Sequence, residues 1–332
     1  MSQDTASNQI GTADSSRLLT AAIILFVLLV TAGFFTFWTE IKTFLKGGCY
    51  AIAPESVCSS DTIRLLAGGY IWGLLALPMA LTLERYFPAR EQPLLSNGLR
   101  QDVIWFVLHG LFKYTLFAAF ASGLYLVFDN YLSFMRLTFI SAMPVPAQII
   151  LVVLLSDFLE WLHHLIRHKV PLFWRFHAVH HSQREMNYFC DSRIHPLDAM
   201  IGRSIGFIPF FSLELDTAIP SFFIWQVIQS WYTNLNHSNL KFNYGWLRYV
   251  LVTPQSHRIH HSMEPEHRDK NFAVMFSIWD FIFGTQHLDF DEYPQTGIED
   301  ERFPIEKSGR TRSLLRSTIG QLIYPFLPSS KS

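Results

Sequence analysis

The 332-residue chain is poor in charge and in cysteine, and it lacks the common cofactor-binding signatures. Aspartate, glutamate, lysine and arginine make up 16% of it and the net charge is -1, so no basic face is available to follow a nucleic-acid backbone. Three cysteines, Cys49, Cys58 and Cys190, are too few for an iron–sulfur cluster held by four thiolates. No Gly-x-Gly-x-x-Gly follows a strand pattern and no Cys-x-x-Cys-His occurs, so signatures for dinucleotide binding and haem attachment are missing. His-Glu-x-x-His, the zinc-hydrolase motif, is absent too. No repeat, low-complexity run or Pro/Gly-rich linker divides the chain.

What the chain has is histidine. Thirteen of its fourteen histidines fall between His163 and His287, eight of them in three clusters: His164-x3-His168, His177-x2-His180-His181 and His257-x2-His260-His261. Residues three and four apart share a helix face, so each cluster is expected to aim its imidazoles into one pocket, where nitrogen donors suit iron, copper or zinc. Eight ligands exceed the roughly three of a hydrolytic zinc site and suit two metals. At about 100° per residue, His164 and His168 stand about 40° apart but His163 and His168 about 140°. His164 is therefore the expected partner of His168, with His163-x4-His168 as the other spacing. Asp157 and Glu160 precede His164 by seven and four residues and fall on its face, where each could accept an imidazole N–H or serve in an ordinary cap or interhelical bond. His109 is expected to make a polar contact between helices, and His267 and His287 to be supporting or surface groups.

Half of the residues are apolar. Stretches near Leu18–Thr39, Thr62–Leu83, Val103–Phe128, Val145–Leu165 and Ser204–Asn236 are long enough for a hydrocarbon core of about 30 Å. The first reads as a retained helix, not a cleaved signal. The last is broken at Glu214-Leu215-Asp216 and Pro220 and reads as a hairpin that dips in and returns, bringing His237 back to the face of the clusters. Arg85, Arg90 and Arg100, with Arg167, Lys169, Arg175 and Arg184, place that face in the cytoplasm. Cys49 and Cys58 then lie on the opposite side, paired or free. The expected fold is all-α: polytopic membrane helices beneath a cytoplasmic, histidine-rich helical cap that holds a dinuclear metal site. An extra helix and loop occupy 1–60, the membrane catalytic domain 61–290 and a tail 291–332, whose Lys307–Ile323 segment either lies on an anionic leaflet or is a solvated helix.

Asp157-Phe-Leu-Glu160-Trp161-x-x-His164-x3-His168, Pro171-Leu-Phe-Trp174-Arg-Phe-His177-x-x-His180-His181-Ser182, His257-Arg-x-His260-His261-Ser262 and Asn271-Phe with Trp279-Asp280-x3-Gly284-Thr285 resemble the fatty acid hydroxylase (sterol desaturase) superfamily. The resemblance spans roughly Asp157 to His287. It implies an integral membrane enzyme with two iron ions (Fe2+), using O2 as co-substrate and two electrons to hydroxylate or desaturate a lipid. By resemblance the ligands are His164, His168, His177, His180, His181, His257, His260 and His261, joined by His237 of Asn236-His-Ser-Asn239. His195, in Arg193-Ile-His-Pro196, matches a recurring family element, as a ligand or a support. The chain departs from the family at Leu165, where arginine is usual, and at Phe272, where tyrosine is common.

With no electron carrier of its own, such an enzyme needs an external donor, a ferredoxin or cytochrome b5 with its reductase. The substrate is expected to be an acyl chain, a sterol or other isoprenoid, an ether lipid or an aminolipid head group. The bilayer is either a bacterial inner membrane or the endoplasmic reticulum. A zinc hydrolase and a non-catalytic lipid-binding protein are the rival readings.

Overall fold

The computed structural model of the chain describes residues 77–93, 96–212, 215–306 and 311–327. The expected spans at 18–39 and over most of 62–83, with Cys49 and Cys58, lie outside them. Among the described residues there are helices and two isolated bridges, Pro88 to Leu240 and Ser262 to Thr296, and no strand. The helices are α1 (77–86), α2 (Asn97–Tyr131), α3 (Thr138–Ser141), α4 (Val145–Lys169), α5 (Pro171–His181), α6 (Pro196–Phe207), α7 (Leu215–His237), α8 (Pro254–His260), α9 (Ile278–Phe283) and α10 (Thr311–Ile323).

Local chemistry marks their ends. Ser96 accepts the Leu99 amide 3.0 Å away to cap α2, and Thr253 and Ser256 form a reciprocal capping box at α8. Proline, which lacks the amide that a first helical turn leaves unused, opens α5, α6 and α8. Gly284, at φ 73°, ends α9 in the left-handed conformation that a Cβ disfavours. Arg167 and Lys169 close α4, where cations complement the helix dipole.

Of the described helices, only α4 is long and apolar enough to cross a membrane. The hairpin expected over Ser204–Asn236 needs correction in its second limb. After α6 and a 3-10 turn at Ile208–Ser212, α7 runs for 23 residues, with Asp216 and Pro220 inside it. A proline there forfeits its bond to the carbonyl of Asp216 four residues back, and the helix continues around that loss. The tail segment Thr311–Ile323 is helical. α10 packs on α2, with Trp105 Nε1 donating to Gln321 Oε1 at 2.8 Å and Gln101 Nε2 to Ser317 Oγ at 2.8 Å. Ser317, Thr318 and Gln321 face inward with Leu314, while Leu315, Ile319 and Ile323 face out.

α6 packs against both α2 and α4. Two of its glycines permit the approach to α4: a Cβ at Gly202 would collide with the Arg167 guanidinium and one at Gly206 with the Glu160 carboxyl. Two buried carboxylates then pin the 272–280 segment to α4. Asp157 accepts the amides of Met275 and Phe276, each at 3.1 Å, and Trp279 Nε1 at 2.9 Å. Asp280 accepts Trp161 Nε1 at 3.0 Å, the amides of Phe272 and Ala273 at 2.9 and 2.8 Å, and Thr285 Oγ1 at 2.6 Å.

Candidate metal centre

The nine histidines expected as ligands form two buried groups. His164, His168, His177, His181 and His260 make the first, and His180, His237, His257 and His261 the second; within each, one ring nitrogen per residue lies within 4.8 Å of the others. The clusters do not each fill one pocket, as the spacing had suggested. His177 and His181 enter the first group while His180 enters the second; His257 and His261 enter the second while His260 enters the first. Helix geometry explains the exchange: going from a box's first histidine, the fourth residue on is displaced by about +40° and the third by about −60°, so the adjacent pair diverges by about 100°. The groups touch where His181 and His261 stack, ring centroids 4.3 Å apart.

Protein acceptors fix the direction of several rings. His164 Nδ1 donates to the Phe272 carbonyl (2.7 Å), His177 Nδ1 to Asp198 (3.0 Å), His180 Nδ1 to the Arg193 carbonyl (3.2 Å), His237 Nδ1 to the Thr233 carbonyl (2.7 Å) and His260 Nδ1 to the Lys270 carbonyl (2.8 Å). These oxygens can only accept, so each Nδ1 carries the proton and each Nε2 presents a lone pair. Yet the Nε2 atoms converge: His164 on His177 at 3.0 Å, and His180 on His237 at 3.1 Å. Two lone pairs at that distance repel and cannot hydrogen-bond to each other. Nitrogens about 2.1 Å from one ion and at right angles around it stand roughly 3.0 Å apart, so the observed spacing is that of neighbouring ligands on a shared cation. His168 Nε2, His260 Nε2 and His261 Nδ1 are buried without a hydrogen-bond partner, an omission that costs about 1–3 kcal/mol each unless a metal supplies the partner. The donor set therefore fits two metal ions.

Electrostatics agree. Burial, then the neighbouring histidines, holds His181, His257 and His261 well below the ordinary imidazole range, and at His177 and His180 burial is joined by Arg167 as well as by neighbouring histidines. His260 is pushed down to about 4, again first by burial. Neutral imidazole is the form that binds metal.

The other predicted residues stand apart from the two groups. His163 Nδ1 accepts from Arg167 at 2.8 Å. His195 caps α6, its Nδ1 accepting the Leu197 amide and its Nε2 donating to the Leu322 carbonyl, both at 3.2 Å. Asp157 does not reach His164: two helical turns separate them, and the carboxylate is committed to the 275–279 backbone and indole. Glu160 accepts from Gln229 and lines a cavity of about 130 Å³ that opens onto both groups. Arg167, Arg203, Gln229 and Asn236 share that wall. His109 meets Arg203 at 3.4 Å, in keeping with the polar contact expected of it.

Sequence reasoning missed Asp198. It accepts from His177 and pairs with Arg167 Nε at 3.0 Å, so a guanidinium holds the carboxylate that holds the ring. Its one signal was its place in the first turn of a helix opened by Arg193-Ile-His-Pro196. Asp280 was quoted within the motif but given no role.

Together these features define a histidine-built centre able to hold two metals on a helical scaffold. Residues 149–285, which contain all nine histidines, match the fatty acid hydroxylase family model, so this segment belongs to the superfamily that the histidine boxes resembled. The chain is 29% identical over 184 residues to an ornithine lipid hydroxylase of Rhizobium tropici, covering 55% of this chain and 51% of that protein. It is 30% identical over 145 residues to an alkylglycerol monooxygenase of Caenorhabditis elegans (43% and 28% covered) and 30% identical over 140 residues to human cholesterol 25-hydroxylase (42% and 50% covered). The chain thus spans about half the length of the first of these relatives and less of the second. No solved structure matches it.

Proposed function

We propose that the protein is an O2-dependent di-iron monooxygenase of the membrane that hydroxylates a lipid at or near a polar head group. One observation carries this reading: two interleaved groups of neutral imidazoles, their Nε2 atoms converging, face a single cavity with polar walls. His164, His168, His177, His181 and His260 would hold one iron and His180, His237, His257 and His261 the other. Bound ferrous iron would supply, with O2 and two electrons, an oxidant able to take hydrogen from an unactivated C–H bond. The overall balance is RH + O2 + 2e− + 2H+ → ROH + H2O.

The protein's own residues bind and orient. Asp198, Phe272, Arg193, Thr233 and Lys270 keep the ligand rings in the donor tautomer through the contacts given above. The cavity wall bears on substrate choice. A sterol ring or bare acyl chain gains little from Glu160, Arg203, Gln229 and Asn236, whereas an aminolipid head group can pair with a carboxylate and a guanidinium. The similarity to an ornithine lipid hydroxylase supports the same choice. Electrons would come from a ferredoxin or cytochrome b5 type of donor docking on the cytoplasmic face, with the chain crossing the bilayer several times.

Cells expressing the wild type or His180→Ala, grown under 18O2, test the reading by lipid mass spectrometry with iron quantified in both purified proteins. The expected result is one 18O atom added to an aminolipid by the wild type alone, with about two irons per chain. A hydrogen-poorer, unlabelled lipid would mean desaturation, and zinc with an unchanged lipid profile would sink the oxygenase.

A further inference from the structure

A second collection of ligating side chains stands apart from the two groups. His267 Nε2 and His287 Nε2 approach the same carboxylate oxygen, Glu292 Oε2, at 2.9 and 3.0 Å. The rings meet edge to face with centroids 4.8 Å apart. His267 is buried, whereas 43% of the Glu292 side chain is exposed, so the cluster is rooted in the protein and open to water on one side.

We propose that His267, His287 and Glu292 form a third metal site, for a single divalent ion of the zinc class, which fastens the chain beyond α9 to the turn that follows the third histidine box. Two imidazoles and one carboxylate, with a fourth position left to water, are a donor set that zinc accepts. Such ligands about 2.1 Å from one ion at tetrahedral angles stand roughly 3.4 Å apart. Each present contact need therefore open by only a few tenths of an ångström, and the half-exposed Glu292 has the freedom to give it.

The surroundings hold these donors in place. Ser262 Oγ lies 2.9 Å from His267 Nδ1 and already accepts the Glu264 amide. A hydroxyl oxygen has a second lone pair, so it can also accept Nδ1–H, the tautomer that turns the Nε2 lone pair toward Glu292. Asn271 Oδ1 accepts the His287 amide at 2.8 Å, and the Glu292 carbonyl accepts Gln255 Nε2 at 3.0 Å. Three ligands from two separate stretches of chain are thus brought together by bonds that do not involve the metal. His287 and Glu292 also lie beyond residues 149–285, so this cluster is not contained in the segment that matches the family.

The test is zinc content by plasma mass spectrometry on the full-length, detergent-solubilised protein after dialysis in Zn2+ and then in buffers of graded zinc activity. Wild type, His287→Gln, Glu292→Gln and His180→Ala are compared. The expected result is an ion per chain whose dissociation constant rises at least tenfold in His287→Gln and Glu292→Gln but is unchanged in His180→Ala, while those first two variants keep the metal of the two larger groups. Retention of that metal shows that both variants fold. Zinc binding identical in wild type, His287→Gln and Glu292→Gln would overturn the proposal, as would loss of all metal together in either variant, since the site would then not be separate. Failure of the oxygenase reading would show instead in the lipid profile and leave this result untouched.

Discussion

A histidine is a dependable metal donor when its other ring nitrogen is held. At His177 the holder is Asp198, itself held by Arg167. Asp198→Asn keeps the shape but removes the charge and can present N–H to N–H. Metal affinity is expected to fall about 10- to 100-fold, measured by chelator competition, with the helical circular dichroism unchanged. His195 gives the opposite expectation. Because both its ring nitrogens serve the α6 cap and the Leu322 carbonyl, His195→Ala should cost stability on the order of 1 kcal/mol and leave the metal content as it was. A loss of one ion per chain would restore it as a ligand.

Elements matter here through how closely they approach. α6 can lie against α4 because positions 202 and 206, one turn apart, carry no side chain where Arg167 and Glu160 need room. Gly206→Val is expected to destabilise the fold by about 1–3 kcal/mol and to displace Glu160 from the cavity wall, read as a lower unfolding midpoint together with a raised KM. The 272–280 segment is held just as specifically. Asp280→Ala strands two amides, an indole N–H and a hydroxyl, so on the order of 3 kcal/mol or more should be lost. The Phe272 carbonyl would then no longer be fixed against His164, and metal retention should fall with stability. An unchanged unfolding midpoint would count against this anchoring role.

At the scale of the whole molecule, burying so many neutral imidazoles links stability to pH. In the unfolded chain a histidine titrates near 6.5, whereas burial holds His260 down to about 4 and the other box histidines outside α4 well below their ordinary range. Below about pH 6.5 the unfolded state takes up protons that the folded state refuses. Stability should therefore be level above that pH and decline beneath it toward about pH 4, by about 1.4 kcal/mol per pH unit for each such proton. Thermal unfolding of the solubilised protein across that range checks this; a midpoint equal at about pH 7 and pH 5 would refute it.

The eight box histidines were legible in the sequence because their spacing is that of helix faces and the box pattern is specific, whereas His237 was reached through the family resemblance. That each adjacent pair diverges follows from the same spacing, but which box shares a metal group with which depends on how α5 and α8 face each other, a relation no local spacing encodes. Of the two readings open for Asp157, the interhelical bond is the one the structure shows, because seven residues set the same face as His164 but also a separation of about 10 Å along the axis. The docking of α10 escaped notice because its inward side mixes Leu314 and Leu322 with Ser317, Thr318 and Gln321, while Leu315, Ile319 and Ile323 face out, so no single apolar face marks it.

The exchange of one histidine between boxes has a consequence for how the protein acquires its metals. α5 and α8 each donate to both groups, so the first ion captured also fixes the ligands of the second. Loading should be cooperative, with the second ion bound more tightly than the first and half-loaded chains scarce at any metal supply. Native mass spectrometry during metal titration would display it: chains with no ion and chains with two, and few between. Gradual filling through a dominant one-ion species would show instead that the two helices load independently.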